Sequence, residues 1–579
     1  MWPFTTDTTQ IDNARALKER SRQEALDWAA REVPEVPLPD DLFILCASLA
    51  ELRAGLQEKK WTVVRIMEAF IRSAVRSHHR CNNLTELLFE PALAQARHFD
   101  AFIEEQGEEA FVKRPLLGIP ISIKDQVDIS GYDSSIGFSA RVNQPAQEHA
   151  AIVQVLVDSG AIPFCKTNVP QTMLSFECGN PVFGRTKNPY SELHTSGGSS
   201  GGEAALLGSD GSPIGIGSDI GGSCRIPASY SGCFGLKPCY PRLPKTGLGS
   251  ANKGFEGIKA TIGPMARSID DLTTLFRVIV DRLAADSYNR VHEVLPLPFR
   301  DEELPKRLKI GYWKSDYFAK ASPASQRAVQ ESVDAMRKAG HELVVVEPPN
   351  ITEAMRIFVA LAGGDGYERL LSCLEGDPPE PHLFLIRAQS RIGPMMTHLS
   401  AWLSSGKDPI TSDIVMASGV KRVAELLSWQ EKRNAFADAM RKHFFKDLAL
   451  DAIICPVQAS PAIRLGTSWN LAFLAAPTIF FNVMDSAVTA VPVTRVDAKR
   501  DQLTDEWHQQ RKGSFVLESA LYSEEGQYNP AGESQGLPIG VQVACSLYEE
   551  EKSLKIAKIL DEALGPREFG RGKYASSHQ

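Results

Sequence analysis

The run from Thr195 to Pro227, TSGGSSGGEAALLGSDGSPIGIGSDIGGSCRIP, constrains this chain more than any other part of it. Ten glycines (Gly197, Gly198, Gly201, Gly202, Gly208, Gly211, Gly215, Gly217, Gly221 and Gly222) stand among small and hydroxylated residues, so few side chains are large enough to build a core. It is not a flexible linker, because Ala204–Leu207 reads as a short helix and Ile214–Ile216 as a short strand. Glycine lets backbone N–H groups approach a partner closely and turn sharply without a Cβ clash. The stretch therefore reads as a rigid cradle of backbone donors, in which a serine is a candidate nucleophile beside an oxyanion hole.

The rest of the composition narrows the setting. A net charge of −8 over 579 residues provides no basic field, so nucleic acid is not an expected partner. The cysteines form no CxxC and no zinc-ligand spacing, and most have apolar neighbours. No metal or cofactor is expected, and reduced thiols point to an intracellular, cytosolic setting. The N-terminus lacks a signal-peptide core. The longest apolar run, Leu471–Phe481, is interrupted by Pro477 and falls short of the about 20 residues of a membrane span. A soluble protein is expected, with peripheral contact with a membrane left open.

Along the chain, helix and strand patterns alternate. Residues 1–40 read as a peripheral N-terminal arm, helical over 10–32. Helical spacing recurs over Ala47–Leu56 and Val63–Ala74, then a strand over Leu84–Glu90 and a helix over Pro91–Gly107. Leu116–Lys124 (LLGIPISIK) has period two, with Ile119, Ile121 and Ile123 on one face and Pro120, Ser122 and Lys124 on the other. A lysine ending a strand is ordinarily a solvated edge charge. At the end of so apolar a strand it can instead be buried, where desolvation lowers its pKa toward that of a base, and the residues alone leave both readings open.

A helix over Ala150–Asp158 and a strand over Ala161–Cys165 precede NVPQTMLSF, read as a short helix capped by Asn168 with Pro170 in its first turn. Met173, Leu174 and Phe176 follow, either as core or as substrate contacts. Further strands are expected at Lys309–Trp313, His341–Val346, Ala452–Cys455, Val488–Thr494 and Leu537–Ala544. Helices are expected at Ser268–Leu283, Pro323–Ala339 and Glu550–Leu564. Residues 351–445 form a helix-rich excursion. Within it, Asp377–Gly406 gathers Leu383–Ile386 and Met395–Leu403 beside Arg387, Arg391 and Lys407, either as a greasy substrate entrance or as packing. Residues 495–534 are polar and read as an irregular surface insertion. One integrated α/β domain over 41–579 accounts for this traffic better than several.

Two serine motifs compete. Gly197–Gly201 fits GxSxG, but an elbow of that kind needs an apolar strand before it, and Lys187–Thr195 is polar and broken by Pro189. Ile214–Ser218 instead leads into Asp219-Ile220-Gly221-Gly222-Ser223, where successive N–H groups of Ile220, Gly221, Gly222 and Ser223 can form an anion-holding nest. Ser223 at its end is positioned to attack a carbonyl. No histidine is near in sequence, so the base must come from elsewhere, and lysine is one solution.

GIPISIKD (Gly118–Asp125), SGGSSGGE (Ser196–Glu203) and GIGSDIGGSCRIP (Gly215–Pro227), joined by NVPQTMLSFECGNPVFGRTKNP and followed by GLKP (Gly235–Pro238), resemble the amidase signature family over about residues 45–565. Within it, the chain resembles eukaryotic fatty acid amide hydrolases most, through TNVPQTMLSFECGNPVFGRTKNP and LPLPFRDE (Leu295–Glu302), and is also similar to fungal acetamidase-type members.

The resemblance implies a large mixed, twisted β-sheet wrapped by helices, commonly in a homodimer, with neither metal nor organic cofactor. It implies a catalytic triad of Lys124 as neutral base, Ser199 on a cis peptide after Gly198 as the bridging serine, and Ser223 as the nucleophile. It places the oxyanion hole at Ile220, Gly221, Gly222 and Ser223. Met173, Leu174, Phe176 and Ser199 would contact substrate, and Ser200, Asp219 and Arg225 would support the loop. The expected activity is hydrolysis of a small-molecule amide or lipid amide: fatty acid amides such as N-acylethanolamines and primary fatty amides, with esterase side activity. The alternative is a short-chain or aryl amidase with the same triad.

Overall fold

The structure of the protein is a computed structural model and describes residues 8–34, 38–285, 288–392, 405–509 and 513–577. Its centre is an 11-stranded sheet. In chain order the strands are β1 (Leu84–Leu87), β2 (Pro120–Lys124), β3 (Ile162–Thr167), β4 (Ile214–Asp219), β5 (Phe234–Lys237), β6 (Thr261–Ala266), β7 (Lys309–Tyr312), β8 (Glu342–Val345), β9 (Ala452–Pro456), β10 (Val488–Arg495) and β11 (Pro538–Ala544). They lie side by side as β1-β3-β2-β4-β6-β5-β10-β11-β9-β7-β8. The pairs β3/β2 and β2/β4 are parallel, as are β9/β7 and β7/β8, while the strands between them run antiparallel. The expected mixed α/β architecture is thus present, with helices wrapped around the sheet.

Local sequence explains most elements. The Val63–Cys81 helix starts where Thr62 accepts the N–H of Arg65, buries Ile66, Met67, Phe70, Ile71 and Ala74, and stops at Asn82 in the left-handed region. The closing helix spans Glu550–Leu564 as read. Strand β2 begins at Pro120 and is buried throughout, on both faces, as a parallel strand inside a sheet must be. The N-terminal helix, Thr9–Glu32, is fastened to the body by Lys18, whose ammonium is buried against Glu86 and lies 2.6 Å from Asp133 Oδ2.

Two expectations fail. Gln171–Met173 is a single 3-10 turn, with Thr172 at φ 68° and Met173 at φ 60°. Asn168 does not cap a helix there, because its Oδ1 accepts from Val169 N (3.0 Å) and Asn180 Nδ2 (2.7 Å) while its amide donates to Gly184 O (3.1 Å) and Thr186 Oγ1 (3.0 Å). Residues 495–534 are not irregular surface. They include helices Asp505–Gln509 and Phe515–Tyr522 and bury Leu517, Leu521, Tyr522 and Tyr528. Their polar residues read as solvated but have distant partners: Asp501 with Arg327 (2.7 Å), and Ser514 Oγ with Asp408 (2.7 Å).

Among the described residues no helix is long and apolar enough to cross a membrane. None of their His, Cys, Asp and Glu side chains form a group of three or more placed to hold a metal ion.

Candidate active site

The parallel strands β3, β2 and β4 bring their carboxyl ends together at Thr167, Lys124 and Ser218. Sites in α/β sheets collect at such ends, where loops leave the strands. The turn after β4 carries Ser223, and the segment before the Gly201–Gly208 helix carries Ser199. Gly202 makes that convergence feasible: a Cβ there would stand 2.3 Å from Asn168 N, so only hydrogen fits between the helix start and the end of β3.

Lys124 is fully buried, and burial pushes its pKa down to about 8. Its Nζ lies 2.8 Å from Ser199 Oγ and 2.8 Å from Ser218 Oγ. The Gly198–Ser199 peptide is cis. Ser223 is 8% exposed and Ser199 2%, and both line the same small cavity. The backbone joins them as well, because Ser200 N–H donates to Ser223 O (3.0 Å). Ser200 Oγ bridges to Ser218 O and N, each at 3.3 Å. Glu203 accepts from Ser122 Oγ (2.6 Å) and Thr167 Oγ1 (2.9 Å), which ties the helix to β2 and β3, and burial raises its pKa to about 8.

Asp219 and Arg225 are both fully buried and pair at 3.0 Å. Arg225 also reaches Asn482 Oδ1 (2.6 Å), Gln542 Oε1 (3.0 Å) and Thr478 O (3.1 Å), and Asn482 returns a bond to Asp219 (2.9 Å). This cationic and amide company holds the Asp219 carboxyl well below the usual range. Of the four N–H groups expected in the oxyanion hole, that of Gly222 is engaged by Asp219 Oδ1 (2.8 Å). Its carboxylate shapes the turn by taking that donor, which leaves Ile220, Gly221 and Ser223 as the donors to consider. Gly222 sits at φ +115°, where L side chains are strained.

Two lobes meet at Ser223, Ile220, Met173, Leu174 and Phe358. The larger is apolar, walled by Phe176, Met355, Val359, Leu385, Ile386 and Ile479 among others. The smaller is more polar and holds Gln126, Thr172, Ser199, Ser218, Ser250 and Asn252. Met173, Leu174 and Phe176 thus reach the cavity. Of the Leu383–Ile386 group, Leu385 and Ile386 reach it, while Leu383 is buried in a separate cluster with Ile136 and Phe138 and Phe384 packs edge-on against Trp469. Met395–Leu403 lie outside the described residues.

Sequence reasoning missed Ser218, Gln126, Phe358 and Ile479. For Gln126 a signal existed: it lies two residues beyond Lys124 in the same chain direction. Phe358 and Ile479 gave none, since each sits on an ordinary apolar helix far along the chain.

Comparison with known proteins identifies the family and the fold. A family model described as Amidase matches residues 65–554. Fatty acid amide hydrolase 1 of Caenorhabditis elegans is 32% identical over 523 residues, covering 89% of this chain and 87% of that protein. An acetamidase of Emericella nidulans is 29% identical over 540 residues, covering 91% and 90%. A solved fatty acid amide hydrolase superposes with a TM-score of 0.79 at 26% identity, over 98% of this chain and 91% of the other. The family match spans most of the chain and the fold likeness nearly all of it, so the chain belongs to the amidase signature family and is an amide-hydrolysing enzyme.

Proposed function

We propose that the enzyme cleaves fatty acid amides, N-acylethanolamines and primary fatty amides among them, to a fatty acid and an amine through an acyl-enzyme on Ser223. The observation that carries this reading is the apolar lobe that Ser223 lines, walled by residues of several separate segments, from Met173 to Ile479. An acyl chain laid along such walls gains up to about 0.8 kcal/mol for each methylene buried.

In this reading neutral Lys124 accepts the Ser199 proton while Ser199 accepts that of Ser223. Ser223 Oγ forms a bond to the carbonyl carbon, and the oxygen, now carrying the electron pair, turns toward the N–H groups of Ile220, Gly221 and Ser223. Collapse breaks the C–N bond, and the proton held by Lys124 passes back through Ser199 to the leaving nitrogen. Water, deprotonated by the same path, then splits the acyl-Ser223 ester. An ester substrate can follow the same course.

The test is kcat/KM on amides of one amine with acyl chains from acetyl to arachidonoyl, in the wild type and in Ser223→Ala. A rise with chain length that disappears in the variant is expected. A preference for short chains would move the enzyme to the acetamidase side with its triad intact, and activity surviving Ser223→Ala would overturn the nucleophile.

A further inference from the structure

From the hydrogen-bond directions around Lys124, we infer that Gln126 is a positioning residue that keeps the lone pair of the lysine free for Ser199. The inference rests on Lys124 being the base. Four groups form a chain: Lys124 Nζ to Ser218 Oγ (2.8 Å), Ser218 Oγ to Gln126 Oε1 (2.6 Å), and Gln126 Nε2 to Gly249 O (2.9 Å). All three side chains are buried: Lys124 is fully enclosed, Ser218 is 6% exposed and Gln126 8%.

The direction of every bond follows from the last one. A backbone carbonyl can only accept, so Gly249 O selects the NH2 end of the Gln126 amide, and the amide oxygen must face Ser218. That oxygen also only accepts, so Ser218 spends its single proton on it. Toward Lys124 the hydroxyl then presents lone pairs alone and must accept. A neutral lysine amine has two N–H groups and one lone pair. With one N–H committed to Ser218, the lone pair is free to face the Ser199 hydroxyl 2.8 Å away. The same arrangement serves the ammonium form, because Ser218 accepts in both protonation states and need not reorient as the proton arrives.

Without Gln126 the Ser218 hydroxyl is released. It can turn and donate to the lysine lone pair, which is the strongest acceptor near it, and so block the base. Ser218 is therefore useful only while Gln126 holds its proton elsewhere. Gln126 has a second anchor, since its backbone carbonyl accepts from Gly249 N (2.8 Å), which fixes the strand end and the loop as one unit.

The prediction has a signature that a merely structural role lacks. Gln126→Leu should lower kcat/KM on decanoyl-p-nitroanilide by about 10- to 100-fold, the range for unmaking one buried hydrogen bond. Adding Ser218→Ala to Gln126→Leu should restore at least a few-fold of that loss, because the hydroxyl that blocks Lys124 is gone. Gln126→Met, close to glutamine in length, gives the same contrast if the leucine variant fails to fold.

Wild-type kcat/KM in the single variants would overturn the inference. So would a double variant as slow as, or slower than, the single one, which is what loss of packing alone produces. Lys124→Met separates the two levels: activity surviving it would overturn the base itself, whereas its loss together with no suppression by Ser218→Ala would overturn only the role of Gln126.

Discussion

Lys124 Nζ stands 2.8 Å from Ser199 Oγ inside a fully buried site, and burial brings the ammonium pKa down to about 8. In the proposed mechanism Lys124 acts as a base when neutral, and the neutral fraction rises with pH. kcat/KM is expected to climb as pH rises through about 8 and to level off above it. Lys124→Met is expected to remove that limb and to cost roughly a hundred- to ten-thousand-fold in rate. A pH–rate profile of both proteins checks this, and an unchanged acid limb in the variant would contradict it.

Asp219 and Arg225 test the support of the loop. Removing the carboxylate leaves a buried guanidinium without its charge partner, which costs about 3–5 kcal/mol. Asp219→Ala is therefore expected to melt well below the wild type in calorimetry. The folded pKa of Asp219 is depressed. Its stabilisation is thus fully present above the unfolded carboxylate value of about 4 and is lost as pH falls below that toward the folded pKa. The stability difference between the two proteins should hold constant from neutral pH down to about 4 and shrink only under more acid conditions.

The apolar lobe makes a prediction about chain length. Ile479 lines it on the 476–484 helix, and a Cβ on Gly221 would touch its side chain at 3.2 Å, so it stands against the turn that bears Ser223. Ile479→Trp should lower kcat/KM on long-chain amides by roughly tenfold or more, about two methylenes' worth of burial, and by less on acetyl and propionyl amides. Equal losses on both would place Ile479 outside the acyl path.

Gly222 gives a backbone prediction. At φ +115° it leaves no room for a side chain, and a Cβ would meet Thr478 Oγ1 at 2.2 Å. That hydroxyl is already engaged with Gly221 O (2.7 Å). Gly222→Ala is expected to destabilise the fold by about 1–3 kcal/mol and to lower kcat more than KM, because the turn carrying the proposed oxyanion donors must shift. Thermal melts with steady-state kinetics check both halves.

Much of this protein was legible before any coordinates. The glycine-and-serine stretch identified the cradle, because no other residue tolerates such close backbone approach, and the period of β2 placed Lys124 on one face of its strand. Helices such as Glu550–Leu564 followed from 3.6-residue spacing, which is a local property. What the chain order could not convey is which distant side chains share a hydrogen bond. The burial of Lys124, the capture of the Gly222 N–H by Asp219, and the Ser218–Gln126–Gly249 chain depend on strands brought together from across the sheet. Asn168 and residues 495–534 misled for related reasons: the first reads as a local helix cap and the second as solvated surface, yet in the fold their polar groups are satisfied by partners that only tertiary structure supplies. Local pattern determined the elements and the candidate chemistry; long-range hydrogen bonding decided which donor serves which acceptor.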